Sequence, residues 1–404
     1  MTHLNSPPAA SAPPRDGRID MIRGLALAMI FINHVPGNRY EVLTSKNFGF
    51  SDAAEAFVLL AGVSAALAFG KHFEARRWWA GIAGPWHRAW SLYMVHIVIS
   101  VTVLGLVAAM LRFGEVPELI SRDNFNRFVE DPVGVLIGLP LLLHQFGYVN
   151  ILPLYVLLML AAPLLIWAGQ RRPGWLLIAS ITVWAVAGLT WQNLPNYPNR
   201  GGWFLNPFSW QLIFVLGILT GLALRGQRRF VPVKRGLIIA AALYASLAFL
   251  VKQVPPVDQG FYVVMKTLRE AGVPFVLVDF NKGYLQLPRL LHVLSLAYLV
   301  SVSPHLRDLS ASRLAWPFVV MGRQALPVFA VGTVLSFAAR AALHYFDPTL
   351  TIVEDVVILG GLLALVALAW VKELSRAALG APRPPIVIPD PHRPAPEPQR
   401  AAQI

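Results

Sequence analysis

Asp20-Met-Ile-Arg23-Gly24-Leu-Ala-Leu-Ala-Met-Ile-Phe-Ile-Asn33-His34 is the stretch on which the reading of this chain turns. It is an apolar helix carrying an acid, a guanidinium and an imidazole, groups that membrane helices seldom carry. A helix turns about 100° per residue, so Arg23 and His34 return to within about 20° of one another. Asp20 lies within about 60° of Arg23, which puts the three polar groups on one face with Ala, Leu, Ile and Phe around the rest. Along the axis Arg23 and His34 are about 16 Å apart, roughly half the thickness of a hydrocarbon core. The plainer reading makes Arg23 a flanking anchor and His34 an interfacial residue. Ionisable groups within a span usually face a bundle interior and mark a substrate or proton path, which weighs against that reading.

Composition agrees with a membrane location. Of 404 residues 56% are hydrophobic and 14% charged, whereas a soluble protein carries about 25% charged residues. The net charge of +13 comes from bases scattered among short loops between apolar segments, which is a topology signal rather than a nucleic-acid footprint. The absence of cysteine excludes disulfides, thiolate catalysis and thiolate metal sites. No His-x3-His or Glu-x-x-His pair occurs, so no metal site is expected. The Pro/Ala-rich leader does not read as a cleavable signal peptide.

Working outward, ten apolar spans are expected, at about 19–35, 53–70, 89–111, 149–168, 175–191, 210–224, 236–251, 287–302, 316–343 and 353–371. The run 133–168 is too long for one span and is interrupted by His144, Gln145, Gly147 and Asn150. It reads as one spanning helix preceded by a re-entrant or interfacial piece. With the amino terminus inside, cytoplasmic segments collect Arg15, Arg18, Lys71, Arg76, Arg77, Arg88, Arg171, Arg172 and the basic run Arg225 to Arg235. An eleventh span in 133–168 would turn every later loop against that rule. The expectation is therefore an all-α polytopic membrane bundle with both termini cytoplasmic. A disordered tail at 1–18 and a Pro-rich tail at 373–404 flank a transmembrane domain at 19–372.

This topology gives the polar residues an address. Asp20 and Arg23 lie at the cytoplasmic end of the first span, Asn33 and His34 at its outer end. Asp52 and Glu55 open the second span on that outer side, three residues apart on one helical face. Asn206, Trp210 and Gln211 open the sixth span and His292 the eighth, also outside. An aromatic belt accounts for Trp210 equally well.

Asp20-x-x-Arg23-Gly24, with ten residues from the Arg to His34, resembles the first span of the acyltransferase-3 superfamily of membrane O-acyltransferases. Phe57-Val-Leu-Leu-Ala-Gly62 is similar to its second span, with Leu60-Ala61-Gly62 where Leu-Ser-Gly is usual, and Arg76, Arg77 and Arg88 resemble its basic loop. More closely, Ile30-Phe-Ile-Asn33-His34-Val-Pro36-Gly37-Asn38 and Phe48-Gly-Phe-Ser-Asp52-Ala-Ala-Glu55 resemble the OpgC protein family. So do Asn206-Pro-Phe-Ser-Trp210-Gln211 and Gly322-Arg323-Gln324-Ala-Leu-Pro327-Val-Phe329.

That resemblance implies succinylation of osmoregulated periplasmic glucans at the inner membrane of a Gram-negative bacterium. The donor would be a cytoplasmic acyl-CoA, with succinyl-CoA expected as co-substrate and no bound cofactor. In such a transferase His34 would be the general base, with Glu55 or Asp52 orienting its ring. Arg23, Arg76, Arg77 and Arg88 would bind the donor phosphates. Asp20, Asn33, Asn206, Trp210, Gln211, His292, Arg323 and Gln324 would support the site or the acceptor. The partners expected are the lipid bilayer, acyl-CoA and the glucan, with no nucleic acid. A transporter or flippase is the competing class, because intramembrane ionisable groups also suit a proton-coupled carrier. The lack of an internal repeat weighs against it.

Overall fold

A computed structural model describes residues 16–113, 123–346 and 351–379. The disordered leader expected at 1–18 falls outside this range up to residue 15, and the Pro-rich tail from residue 380 onward. The described chain is helical, with no β-strand. It opens with α1 (Gly17–Asn33), α2 (Ala53–Glu74) and α3 (Trp78–Phe113), followed by the short α4 (Asn126–Glu130) and α5 (Pro132–Gly138). Next come α6 (Ile151–Arg171), α7 (Pro173–Thr190), α8 (Pro207–Arg225), α9 (Arg235–Gln253) and α10 (Pro255–Glu270). The chain closes with α11 (Phe275–Val278), α12 (Leu287–Val302), α13 (Pro304–Ala311), α14 (Trp316–Arg323), α15 (Ala325–Tyr345) and α16 (Thr351–Ala378).

Local chemistry sets many of the helix starts. Asp16 caps α1 by accepting from the Arg18 amide, so that helix begins inside the stretch read as a tail. Asp52 and Glu55 form a reciprocal capping box on α2. Asn206 caps α8, and proline occupies the first turn of α5, α7, α8, α10, α12, α13 and α14, where its missing N–H costs nothing.

Eight of the described helices are long and apolar enough to cross a membrane, and nine if α12 and α13, bent by 74° at Ser303, count as one. The further segment of the expected ten is α1, whose 17 residues sit at the short end of the spanning range of about 17–25. Within 133–168, the short α5 and an irregular stretch precede the one long helix α6, as the re-entrant or interfacial piece expected there would. The expected ninth span is broken at Gln324 into α14 and α15. In a continuous helix the Pro327 ring would clash with the carbonyl of Arg323, four residues back. The segment 252–286, where no span was expected, carries the amphipathic helix α10.

The core is built by close backbone approach. A Cβ on Gly24 would fall on the carbonyl oxygen of Phe318, and one on Gly322 on that of Asp20, so α1 and α14 pack with nothing between them. Gly62 of α2 and Gly217 of α8 do the same for the central pair. The end of the bundle that carries Gly17 is termed here the amino-terminal face, and the other end the far face.

Candidate functional site

Two polar regions lie at opposite ends of α1. At the far end His34 terminates the helix, its amide donating to the Ile30 carbonyl at 3.0 Å. Its ring packs on Tyr148, centroids 4.3 Å apart, and its buried Nδ1 has no hydrogen-bond partner among the described residues. The charges that act on the ring are Lys282, Arg340 and Asp52. Arg340, from α15, pairs with Asp123 at 2.7 Å and lies over the Tyr148 and Phe337 rings at 5.5 and 5.1 Å.

The two expected carboxylates are present in this layer, held by cations that the sequence reading did not single out. Glu55 is fully buried and accepts from the Arg289 Nε at 2.8 Å and Nη2 at 2.5 Å. Asp52 pairs with Lys282 at 2.6 Å and lies 3.6 Å from the Arg289 guanidinium. Burial opposes the Asp52 charge, but Lys282 and Arg289 outweigh it and hold this carboxyl below the usual carboxylate range. Neither carboxylate hydrogen-bonds the His34 ring. The structure therefore gives them the work of ordering α2 against α12, with Asp52 acting on His34 through its field.

The supporting residues divide between the two ends. At the far end His292 Nδ1 lies 2.7 Å from the Ser51 hydroxyl, and Asn33 accepts from Thr44 at 2.8 Å. Trp210 donates to the carbonyls of Lys282 and Gly283 at 3.0 and 3.1 Å, which fixes the loop that delivers Lys282. Asn206 donates to Gln192 O at 2.7 Å, and Gln211 binds Ser180 at 2.6 Å. Arg323 and Gln324 lie instead near the amino-terminal face, where both bind Glu373 of α16, at 2.9 and 3.2 Å.

That second region is a cleft of about 260 Å³. Arg23 enters it from α1, bonded to Ser64, to the Leu60 and Gly322 carbonyls at 3.3 and 3.4 Å, and paired with the buried Asp20 at 3.5 Å. Arg88, Arg323 and Arg376 line its walls. Arg76 and Arg77 do not; they sit exposed in the α2–α3 turn. On α2 the lining runs from Phe69 to Phe57, about 18 Å along the axis. Toward the far face the lining includes Phe57, Phe329 and Tyr155, with Phe57 centroids 6.5 and 6.4 Å from the other two, and Leu152 and Ile151 up to one turn further along α6. From Phe57 it is five residues, about 7.5 Å of rise, to Asp52 in the far layer.

Lys282, Arg289, Arg340, Tyr148 and Glu373 were not legible as site residues. Lys282 and Arg289 read as ordinary loop and flanking cations. A lone arginine near the end of an apolar helix was the available signal for Arg340.

Fold and site together define a multi-pass all-α membrane protein with ionisable groups gathered at both ends of its first helix. The model of the OpgC protein family matches residues 15–377, nearly the whole chain, and the chain belongs to that family. No curated protein and no solved structure matches it. Family membership supports a transferase role in glucan modification.

Proposed function

We propose that this protein moves an acyl group, succinyl by family, from an acyl-CoA in the cleft to a glucan hydroxyl at the far-face layer. The amino-terminal face is then cytoplasmic and the far face periplasmic. The observation that carries this reading is the cleft itself. It has four arginines on its walls and reaches from the amino-terminal side to within about 7.5 Å of rise of the layer that holds His34. Guanidinium groups suit the phosphates of a coenzyme A thioester, and an apolar floor suits its acyl end.

In the reaction the glucan hydroxyl attacks the thioester carbonyl, the C–O bond forms and the C–S bond breaks. His34 accepts the hydroxyl proton and returns it to the departing thiolate, so that free thiol and ester are the products. The unpartnered Nδ1 of His34 leaves a ring nitrogen available for that exchange. Preservation of charge balance around the ring falls to the pairs Asp52–Lys282 and Asp123–Arg340.

The test is transfer of radiolabelled succinyl from succinyl-CoA to glucan by purified protein in nanodiscs. His34→Gln is expected to lower the rate about a hundred- to ten-thousand-fold while the protein stays folded. Wild-type rates in that variant would make His34 structural. A deletion strain that loses whole periplasmic glucan, rather than its acyl mass, would replace the transferase by an exporter.

A further inference from the structure

Past the floor of the cleft lies a second, much smaller void of about 10 Å³. Leu27 and Phe31 of α1 and Thr333 of α15 are among the residues lining it, and Phe329 is a wall of both spaces. The two voids follow one helical stripe. Arg23 faces the cleft, Leu27 and Phe31 the small void, and His34 the far layer, each one turn beyond the last. On α15, Phe329, Thr333 and Arg340 follow the same order.

Phe329 is the side chain that lines both spaces. Phe57 is 8% exposed and Phe329 4%, their centroids lie 6.5 Å apart, and the Tyr155 ring packs on Phe57 at 6.4 Å. Rings in a packed core resist compression but turn about their own bonds, so such a barrier has a preferred aperture rather than none.

We propose that Phe57 and Phe329 determine acyl specificity: they form an aromatic barrier between cleft and far layer that admits short, unbranched acyl chains and rejects bulky ones. This rests on the acyl-transfer reading above. A short chain passes the Phe329 ring toward Leu27 and Thr333, and these side chains part to admit it, since the void at rest has room for about one water. A branched or aromatic acyl group stops at the rings.

Two measurements test it. In the first, transfer to glucan is compared for acetyl-, succinyl-, hexanoyl- and benzoyl-CoA. Phe57→Ala or Phe329→Ala should raise the benzoyl-to-acetyl ratio about tenfold or more over wild type, the range that small size differences reach in apolar pockets. Phe57→Leu serves where alanine fails to fold. Acetyl transfer with an unchanged ratio in both positions overturns the proposal. In the second, which needs no acyl donor, the cysteine-free chain allows single thiols to be placed on either side of the barrier. Ala68→Cys, in the cleft, should react with a maleimide added from the amino-terminal side in every background. Thr333→Cys should react only when Phe329→Ala is present, and reaction without it overturns the barrier. Transfer from none of the four donors overturns the transferase reading and the size selection with it, whatever the labelling shows.

Discussion

Arg289 carries more of the far layer than any residue the sequence singled out. It donates twice to Glu55, which is fully buried, and lies beside Asp52. Removing one partner of a buried pair leaves an uncompensated charge, so Arg289→Ala should destabilise the protein by about 3–5 kcal/mol. Thermal unfolding in detergent would register that loss. Glu55→Gln should cost less, since Arg289 keeps Asp52 at 3.6 Å and the amide oxygen can still accept from the guanidinium. Equal losses in the two variants would mean that the pair matters for packing alone. Arg289→Lys should recover only part, because an ammonium cannot reproduce the two-pronged contact. His34, Asp52 and Glu55 were legible because they lie close together in the sequence at the ends of two apolar runs. Their cations were not, since Arg289 and Lys282 come from more than 200 residues away and look like any loop base until the chain is folded.

Among elements, the tight contact of α1 with α14 sets the cleft. Gly24 and Gly322 let the helices touch backbone to backbone, and that approach places Arg323 and Gln324 beside Asp20 and Arg23. In an ordinary exposed helix Gly→Ala stabilises by about 0.5–1 kcal/mol. Here the added methyl meets a carbonyl, so Gly24→Ala should instead cost about 1–3 kcal/mol, as overpacking does. It should also raise the apparent donor KM by spreading the arginines. A higher melting temperature in this variant would show that the helices are not held at that distance. Arg23→Ala and Arg88→Ala should each weaken the donor, by about 1.5–3 kcal/mol per charge-assisted contact, while Arg76→Ala and Arg77→Ala leave it unchanged. Donor titrations on the four variants decide this. The sequence placed most spanning helices because their apolar runs are long. It missed the break at Gln324, where hydropathy continues across the gap, and it missed α10, whose apolar residues are diluted by charges at helical spacing.

At the scale of the whole molecule, both ends of the bundle are polar and the middle is apolar, and charge bias gives it a direction. Reporter fusions after Arg77 or Arg229 should read cytoplasmic and one after Asn199 periplasmic. A cytoplasmic signal at Asn199 would remove the orientation on which the donor and acceptor sides depend. Composition and the spacing of Arg23 and His34 made the bundle and the polarity of its first helix legible. The depth of the cleft was not, because it depends on how α2, α6 and α15 stand around one another.

The aromatic floor of the cleft has an electrical meaning as well. A space open to one side carries that side's potential inward, so on the proposed orientation the voltage across the membrane would fall between the floor at Phe57 and Phe329 and the far face. A singly charged acyl tail crossing there exchanges about 2.3 kcal/mol with the membrane for each 100 mV. With the interior negative, an anionic succinyl group is driven outward, whereas a neutral acetyl group feels no such pull. Proteoliposomes clamped with potassium and valinomycin should therefore show succinyl transfer speeding up as the donor side becomes more negative, and acetyl transfer holding steady. On this account the energised membrane itself would favour an acidic decoration on the glucan over a neutral one.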